Sequence, residues 1–250
     1  MEQKKRIVIV GATSAIAEHC ARRWVEKQAI DLTLVGRDAA RMQRAADDLR
    51  VRSPQSTVRV VPAEFIDPAA IQATVDAIVA QGAVDIVLIA HGSLPVQQDC
   101  ETDLLACSTA LEVNGISPVL FAEAFAKHMA KADKGTVAVI GSVAGDRGRK
   151  SNYVYGAAKG MVARYLQGMQ HRFAGSGVKI VLIKPGPTDT PMTAHLKAQG
   201  AKLASVEEVA EKIVDAVERG RAVVYAPGKW QLIMLVVRHI PAVVFNKLNI

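Results

Sequence analysis

The chain has 250 residues, of which 50% are hydrophobic and 22% are charged, and this composition excludes a disordered chain and suits one folded domain. The net charge of +7 favours anionic partners, such as nucleotide phosphates, nucleic acid or acidic lipid headgroups. Three cysteines without a Cys-x-x-Cys pair argue against a disulfide scaffold and a structural zinc site, so no metal is expected. The first residues lack the pattern of a secretory signal, and we expect a protein of the reducing cytoplasm.

Short β-branched and aliphatic runs alternate with longer stretches of helical periodicity along the chain. We predict strands at 6–10, 32–35, 58–61, 86–89, 137–140, 180–183 and 223–225. We predict helices at 15–27, 40–50, 69–81, 104–130, 152–174 and 206–219. Seven strands with six helical crossovers predict an α/β, single-domain Rossmann fold, in which a doubly wound, seven-stranded parallel sheet carries helices on both faces. We expect residues 1–228 to form this dinucleotide-binding and catalytic domain, followed by an apolar and basic C-terminal segment at 229–250.

The first predicted strand runs into a turn that begins with a glycine and opens a helix. Free N–H groups and the dipole at a helix N-terminus bind a pyrophosphate, so this turn predicts a dinucleotide site. An ordinary strand-to-helix turn is the alternative interpretation. The residues that we expect to contact the cofactor here are Gly11, Thr13, Ser14, Ala15 and Ile16.

The ends of the second and fourth predicted strands extend this site. Arg37 follows the second strand, where doubly wound folds contact the adenosine ribose. A guanidinium there pairs with a 2′-phosphate, which favours NADPH/NADP+ over NADH, although a solvated arginine is the alternative. Ala90 and Gly92 follow the fourth strand and permit close approach of the backbone to a cofactor. His91, between them, lines the site or packs as a structural residue.

Four side chains predict the chemistry. Ser142 follows the fifth strand, Asn114 lies in the preceding long helix, and Tyr155 and Lys159 are four residues apart on one helical face. Tyr153 has no lysine four residues later and is excluded by the same test. Reduction of a carbonyl needs a proton at oxygen while hydride reaches carbon, and a phenol has an ordinary pKa near 10. We expect the Lys159 ammonium to lower the pKa of Tyr155.

This set of residues resembles the catalytic tetrad of the short-chain dehydrogenase/reductase superfamily, and the resemblance covers essentially the whole chain. It implies that Tyr155 is the proton donor and that Lys159 also binds the nicotinamide ribose. It implies that Ser142 holds the carbonyl and that Asn114 anchors a water in a proton relay. Further cofactor contacts that it implies are Glu64 and Phe65 at the adenine, and Pro185, Gly186, Thr188 and Thr190 in the loop over the nicotinamide.

Two details of the resemblance bear on cofactor binding. Ala15 and Ala17 stand where the family's nucleotide turn has its second and third glycines, and each added methyl is expected to weaken cofactor affinity. Thr188 and Thr190 hydrogen-bond the carboxamide or a phosphate, or they cap the next helix.

Four segments narrow the resemblance to a subgroup related to decaprenylphosphoryl-2-keto-β-erythro-pentose reductase. They are GATSAIAE, LIAHGSLP, SVAGDRGRKSNYVYGAAKG and PGKWQLIMLVVRHIPAVVFNKL. This resemblance implies a keto-sugar substrate, with a polyprenyl phosphate as its carrier. The basic loop 146–150 offers Arg147 or Arg149 to a phosphate, with a solvated loop as the alternative.

The C-terminal segment combines apolar residues with basic ones. Arg238, His239 and Pro241 interrupt the apolar run, so it is too short to span a bilayer. It is expected to lie in a membrane interface, which would bring the enzyme to the inner face of the cell membrane; packing on its own domain or in a subunit interface is the alternative.

Other functions share this architecture. A 3-oxoacyl-thioester reductase whose basic surface docks an acidic carrier protein is the main alternative, and a module that senses NADPH without turnover is a second. A nucleic-acid partner is not expected, because no recognisable binding motif supports it. We expect a small-molecule or lipid-linked ketone as substrate and a homo-oligomer packed through the long helices.

Overall fold

The computed structural model describes residues 4–248, and it contains one parallel sheet of seven strands in the order β3-β2-β1-β4-β5-β6-β7. The strands are β1 Lys5–Val10, β2 Ile30–Gly36, β3 Thr57–Pro62, β4 Ile86–Ile89, β5 Gly135–Ile140, β6 Val178–Pro185 and β7 Val223–Ala226. Every neighbouring pair is parallel. The predicted doubly wound Rossmann fold is confirmed, and all seven predicted strands form. Residues 1–3, which begin the predicted domain, and residues 249–250, which end the predicted C-terminal segment, lie outside the described residues.

Helices cover both faces of the sheet. They are α1 Ala15–Lys27, α2 Ala39–Arg52, α3 Pro68–Ala80, α4 Gln97–Thr102, α5 Leu104–Leu111, α6 Ser117–Ala132, α7 Tyr153–Arg172, α8 Ala194–Ala198, α9 Val206–Glu218, α10 Lys229–His239 and α11 Ala242–Phe245. One core lies under α1, α2 and α9 around Trp24, Leu32 and Ile213. The other lies under α3, α6 and α7 around Phe121 and Phe125. Each such buried side chain contributes roughly 1.5–3 kcal/mol, which explains why the central strands are runs of aliphatic residues.

The strand order reverses between β1 and β4, and the crevice at their carboxyl ends is where open α/β sheets bind ligands. Gly11 directly follows β1 there and has a φ of +82°. A Cβ on Gly11 would lie 2.5 Å from the backbone nitrogen of His91, so only glycine lets the ends of β1 and β4 approach this closely. The predicted nucleotide turn therefore lies at the switch point of the sheet.

The helix predicted at 104–130 is wrong in detail, because a π-helical turn at Glu112–Ile116 separates α5 from α6. The Asn114 Nδ2 donates to the carbonyl of Ala110 at 2.9 Å, which is the acceptor that an α-helical N–H would use. The backbone bond then shifts, and the N–H of Ser117 donates to the carbonyl of Glu112. Such π-bulges occur frequently at functional sites.

The stretch Leu104–Ala132 is long and apolar enough to cross a membrane by length and composition. Its second half buries Phe121 and Phe125 under the sheet, and its π-helical turn carries the buried Asn114. It is placed as a core helix of the domain.

The loops before Leu104 and after Pro185 contain short helices that the sequence did not predict. Helix α4 lies in the first loop, and a 3-10 turn at Pro191–Thr193 and α8 lie in the second. The C-terminal segment forms α10 and α11, and α10 contacts β7 and the 3-10 turn after β5.

Candidate active site

A cleft of about 180 Å³ opens at the carboxyl ends of β4, β5 and β6, between α7 and α8. A groove of about 940 Å³ adjoins it and runs toward the end of β2. The predicted residues that line the cleft are Asn114, Ser142, Tyr155, Lys159, Pro185, Gly186 and Thr188. Those that line the groove are Gly11, Thr13, Ser14, Ala15, Ile16, Arg37, Phe65, Ala90, His91, Gly92 and Thr190. Glu64 is exposed and lines neither.

Ser142 is positioned by the 3-10 turn Val143–Asp146, which follows β5. Its Oγ accepts a hydrogen bond from the N–H of Ala144 at 3.1 Å. Backbone contact brings this turn onto α7, since a Cβ on Gly145 would lie 2.7 Å from the carbonyl of Lys159. A Cβ on Gly156 would lie 3.0 Å from the carbonyl oxygen of Ala144. Two glycines therefore hold the serine beside the helix that carries the tyrosine and the lysine.

Tyr155 and Lys159 face the cleft from the first turns of α7. The Lys159 Nζ donates to the carbonyl of Ile140 at 3.1 Å and lies 5.8 Å from the centre of the Tyr155 ring. Burial raises the pKa of Tyr155 above its ordinary value, and the hydrogen bond with Ser142 opposes this only in part. Burial lowers the pKa of Lys159 to about 8. The expected lowering of the Tyr155 pKa by Lys159 is wrong for this structure, because burial of the phenol outweighs every other influence on it.

Tyr153 is exposed and lines neither the cleft nor the groove. Burial raises its pKa, as do the charge of and hydrogen bond to Glu101. Of the two neighbouring tyrosines, the one with a lysine four residues later is therefore the one that lines the cleft.

Asn114 is fully buried at the back of the cleft. Its Oδ1 accepts from the N–H of Ser93 at 2.9 Å, which ties the π-helical turn to the segment after β4. A Cβ on Gly92 would lie 2.8 Å from this oxygen and 3.5 Å from the Lys159 Nζ. The amide and the ammonium thus approach the same point from two sides.

The groove fits a dinucleotide. Ser14 precedes α1 without a side-chain cap, so the first N–H groups of the helix are open to an anion. Arg37 and Arg41 line the far end, where the sequence predicted only the first of them. The carboxylate of Asp38 is engaged, because it accepts from the N–H of Arg41 at 2.9 Å. Two cationic side chains at this end, with the carboxylate of Asp38 engaged, suit a 2′-phosphate.

The alanines of the nucleotide turn have different surroundings. Ala15 lines the groove, whereas the methyl of Ala17 is fully buried in the core under α1 and α9. The methyl group of Ala17 therefore contributes to packing of the core.

His91 is buried in an aromatic cluster. Its ring centre lies 4.6 Å from that of Phe65 and 5.6 Å from that of Phe121, and its Nε2 pairs with the Ser117 hydroxyl at 2.8 Å. Burial, and then the charges of Lys159 and Arg37, lower the pKa of His91 to about 3, so the ring is neutral. The His91 ring is therefore packed as a structural side chain, and the residue also lines the groove.

The loop after β6 closes one side of the cleft. The Thr188 hydroxyl donates to the carbonyl of Gly186 at 2.9 Å. Thr190 caps the 3-10 turn that follows it, together with Thr193. The indole of Trp230 packs on this loop, since a Cβ on Gly186 would lie 1.9 Å from its Nε1. The C-terminal segment therefore contacts the wall of the site.

The two arginines of the basic loop 146–150 have different contacts. The Arg147 Nη1 donates to the carbonyls of Val237 at 2.8 Å and Ile240 at 2.6 Å, and its guanidinium lies 3.8 Å from the centre of the Phe245 ring. Arg149 lines the cleft, as does Asn152. Arg147 thus fastens the C-terminal helices, and Arg149 faces the site.

A buried polar network under this loop was missed by sequence reasoning. The carboxylate of Asp146 pairs with the Lys184 ammonium and accepts from the Tyr225 hydroxyl at 2.7 Å. Burial and Asp146 raise the pKa of Tyr225 to about 12. The partners come from three elements that are far apart in sequence, so no local pattern could reveal the network.

Comparison with known proteins places the chain in a family. The short chain dehydrogenase family matches residues 5–201. An "uncharacterized oxidoreductase in mprA 5'region" of Streptomyces coelicolor is 29% identical over 245 residues, which cover 98% of this chain and 96% of that protein.

Solved structures share the fold. Levodione reductase superposes with a TM-score of 0.83 at 21% identity, over 92% of this chain and 98% of that one. A short chain dehydrogenase from Burkholderia cenocepacia in complex with NADP superposes with a TM-score of 0.81 at 18% identity, over 99% and 98%. The predicted superfamily and enzyme class are confirmed: the chain belongs to the short-chain dehydrogenase family of NAD(P)-dependent oxidoreductases.

Proposed function

We propose that this enzyme reduces a ring ketone of a keto-sugar, carried on a polyprenyl phosphate, with NADPH as the hydride donor. The observation that carries the sugar assignment is the Oδ1 of Asn152. Asn152 lines the cleft, and its Oδ1 is buried and finds no hydrogen-bond donor among residues 4–248. An unpaired buried acceptor is costly, and a sugar hydroxyl would satisfy it. The four segments that resemble the keto-pentose reductase subgroup support the same substrate.

The catalytic residues have separate tasks in this proposal. When bound, NADPH supplies the hydride. The hydroxyls of Ser142 and Tyr155 hold the ketone oxygen, and Tyr155 donates its proton to that oxygen as charge develops there. The raised pKa of Tyr155 supports this role, since the phenol is protonated at neutral pH. The ammonium of Lys159 stabilises the phenolate that remains.

Proton resupply is assigned to Lys159 and Asn114. Both lie near the position that a Cβ on Gly92 would take, the Lys159 Nζ at 3.5 Å from it and the Asn114 Oδ1 at 2.8 Å. A water held between them would return a proton to Tyr155 after each turnover. Glu64 is proposed as an adenine contact that reaches the groove from its exposed position.

NADPH is proposed over NADH because of charge at the end of β2. Arg37 and Arg41 line the groove there, and the carboxylate of Asp38, which also lines it, is held by the start of α2. A bidentate guanidinium contact favours the 2′-phosphate.

The C-terminal helices are proposed to contact the membrane that holds the substrate. Their outer faces expose apolar side chains, including Leu232, Val236 and Val243. Basic residues flank them at Lys229, Arg238 and Lys247, which favours an anionic lipid surface. The proposal therefore includes a cytoplasmic enzyme that works at the inner face of the cell membrane.

A homo-oligomer is proposed through α5 and α7. Large hydrophobic side chains are exposed along these helices, among them Leu104, Leu105, Tyr153 and Met161. A second copy would bury them, as expected for apolar patches on a protein surface. Light scattering of the purified protein should give a multiple of the monomer mass.

The test measures oxidation of NADPH and of NADH in detergent micelles, with a polyprenyl-phosphate 2-keto-pentose or a 3-oxoacyl thioester as substrate. We expect turnover of the keto-sugar, with NADPH the better donor. Tyr155→Phe should lose roughly 10²–10⁴-fold in kcat, because the proton donor is absent. The matched control, Tyr153→Phe, should keep its activity. Turnover of the thioester alone would contradict the proposal, and so would an active Tyr155→Phe enzyme.

A further inference from the structure

Arg149 is a half-buried cation in the cleft, and no ion pair among residues 4–248 includes it. The Arg149 Nη2 donates to the Sδ of Met234 at 3.5 Å. A thioether is a weak acceptor, so this contact orients the guanidinium without neutralising it. Burial lowers the pKa of Arg149, while the charge of Asp146 opposes this shift.

The neighbouring charges leave Arg149 available to a ligand. Asp146, a carboxylate of the same loop, is committed to Lys184 and Tyr225. Arg147 is committed to the carbonyls that end α10 and to the ring of Phe245. Arg149 is therefore the member of this loop whose donors face the cleft without an anionic partner.

The position of Arg149 relates it to the reacting end of the cleft. It lines the same cavity as Ser142, Tyr155 and Asn152, and the Oδ1 of Asn152 is buried without a hydrogen-bond partner among the described residues. The N–H of Asn152 donates to the carbonyl of Arg149 at 3.1 Å, so the two residues belong to one turn ahead of α7. A substrate whose ketone oxygen lies at Tyr155 can thus place a hydroxyl at Asn152 and a further group at Arg149.

We propose that Arg149 is a specificity-determining residue that binds a phosphate group attached to the ketone substrate. The inference rests on the proposed function and identifies the residue that binds the phosphate of that substrate. A guanidinium pairs with phosphate through parallel N–H···O bonds, which are stronger than its bond to sulfur. Binding relieves the unfavourable burial of an uncompensated cation. A soluble sugar phosphate and a lipid phosphate share this chemistry.

The test measures binding without turnover. The enzyme is saturated with NADP+, which occupies the groove, and is titrated by calorimetry with D-xylulose, D-xylulose 5-phosphate, or farnesyl phosphate in micelles. We expect at least one phosphate compound to bind roughly ten- to hundred-fold tighter than D-xylulose, as a charged hydrogen-bonded contact provides. Arg149→Gln should remove this preference and leave the affinity for NADP+ unchanged.

Two variants keep the inference falsifiable. Lys150→Gln removes one charge from the same loop outside the cleft, and it should keep the preference for phosphate. Arg149→Lys keeps the charge and should retain part of the preference for phosphate. Arg149-dependent tight binding of the sugar phosphate alone, or of the farnesyl phosphate alone, supports the inference and identifies the source of the phosphate. Equal binding of the phosphate compounds by wild type and Arg149→Gln would overturn it. Failure of the keto-sugar to turn over, with Arg149-dependent binding intact, would count against the proposed reaction only.

Discussion

Burial sets the protonation of the two central residues of the site. Tyr155 is a neutral phenol over the physiological range, because its pKa is raised above an ordinary value that is already near 10. Lys159 has a pKa of about 8, because its ammonium is enclosed by the sheet and α7. A protonated tyrosine suits the donation of a proton to a ketone, and a lysine that titrates near neutrality suits a relay.

The pH dependence of the reaction should report Lys159. Its ammonium is present below a pH of about 8 and is lost as the pH rises through that value, so kcat/KM for ketone reduction should fall on the alkaline side. Tyr155 titrates at higher pH and should not contribute to this fall. The measurement is the pH profile of kcat/KM with NADPH.

The control variant is Lys159→Arg, whose guanidinium stays charged throughout this range. Its activity should be lower, because the side chain is larger, but its profile should not fall near pH 8. A wild-type profile that stays flat to about pH 10 would show that the ammonium of Lys159 is not required.

At the scale of secondary structure, the loop between Ser142 and Tyr155 is held by the sheet on one side and by α10 on another. The Asp146 carboxylate anchors it to β6 and β7 through Lys184 and Tyr225. Met234 of α10 is fully buried and contacts Arg149 of this loop, while Trp230 packs on the neighbouring loop after β6. The substrate side of the cleft therefore depends on elements from the last third of the chain.

Removal of the Asp146 carboxylate should be strongly destabilising. Asp146→Ala leaves the Lys184 ammonium buried without a partner, and breaking a buried pair costs about 3–5 kcal/mol in the free energy of unfolding. The matched control is Asp47→Ala, which removes an exposed pair with Arg50 and should cost less than about 1 kcal/mol. Chemical denaturation of both variants provides the comparison. Equal losses for the two variants would show that the network contributes no more than a surface pair.

The helical elements show how far periodicity predicts structure. Alternation of strands and helices predicted the seven strands along the chain, because strands buried on both faces must be continuously apolar. The break in the helix at Asn114 was not predicted, since it results from a side chain that competes for a backbone carbonyl within the assembled site.

At the scale of the whole molecule, apolar surface is concentrated at the C-terminal helices and along α5 and α7. Leu232 is 68% exposed and Val236 is 59% exposed on α10, the helix whose Met234 contacts Arg149 of the cleft. Contiguous exposed apolar surface usually marks an interaction site. The two patches suit two different partners, a membrane and a second copy of the chain.

Binding to anionic vesicles should depend on the outer face of α10. The double variant Leu232→Glu and Val236→Glu places two charges on this face, and we expect at least a ten-fold loss of vesicle binding because buried apolar area and charge attraction both decrease. Val51→Glu, which alters an 81% exposed residue on α2, is the matched control and should bind like wild type. The measurement is cosedimentation with vesicles that contain phosphatidylglycerol. Unchanged binding of the double variant would assign this face to packing or to a subunit interface instead.

The sequence by itself determined the fold class and the seven strands, and it predicted the nucleotide turn and the helical spacing that favours Tyr155 over Tyr153. These features are local, because they depend on periodicity and on glycines at particular turns. Only the tertiary structure decided the protonation of Tyr155 and Lys159, since burial is a property of the assembled chain. It also decided that Arg147 fastens the C-terminal helices while Arg149 faces the cleft. Two arginines separated by one glycine look alike in sequence, and their partners lie about ninety residues further along the chain, where only folding brings them into contact.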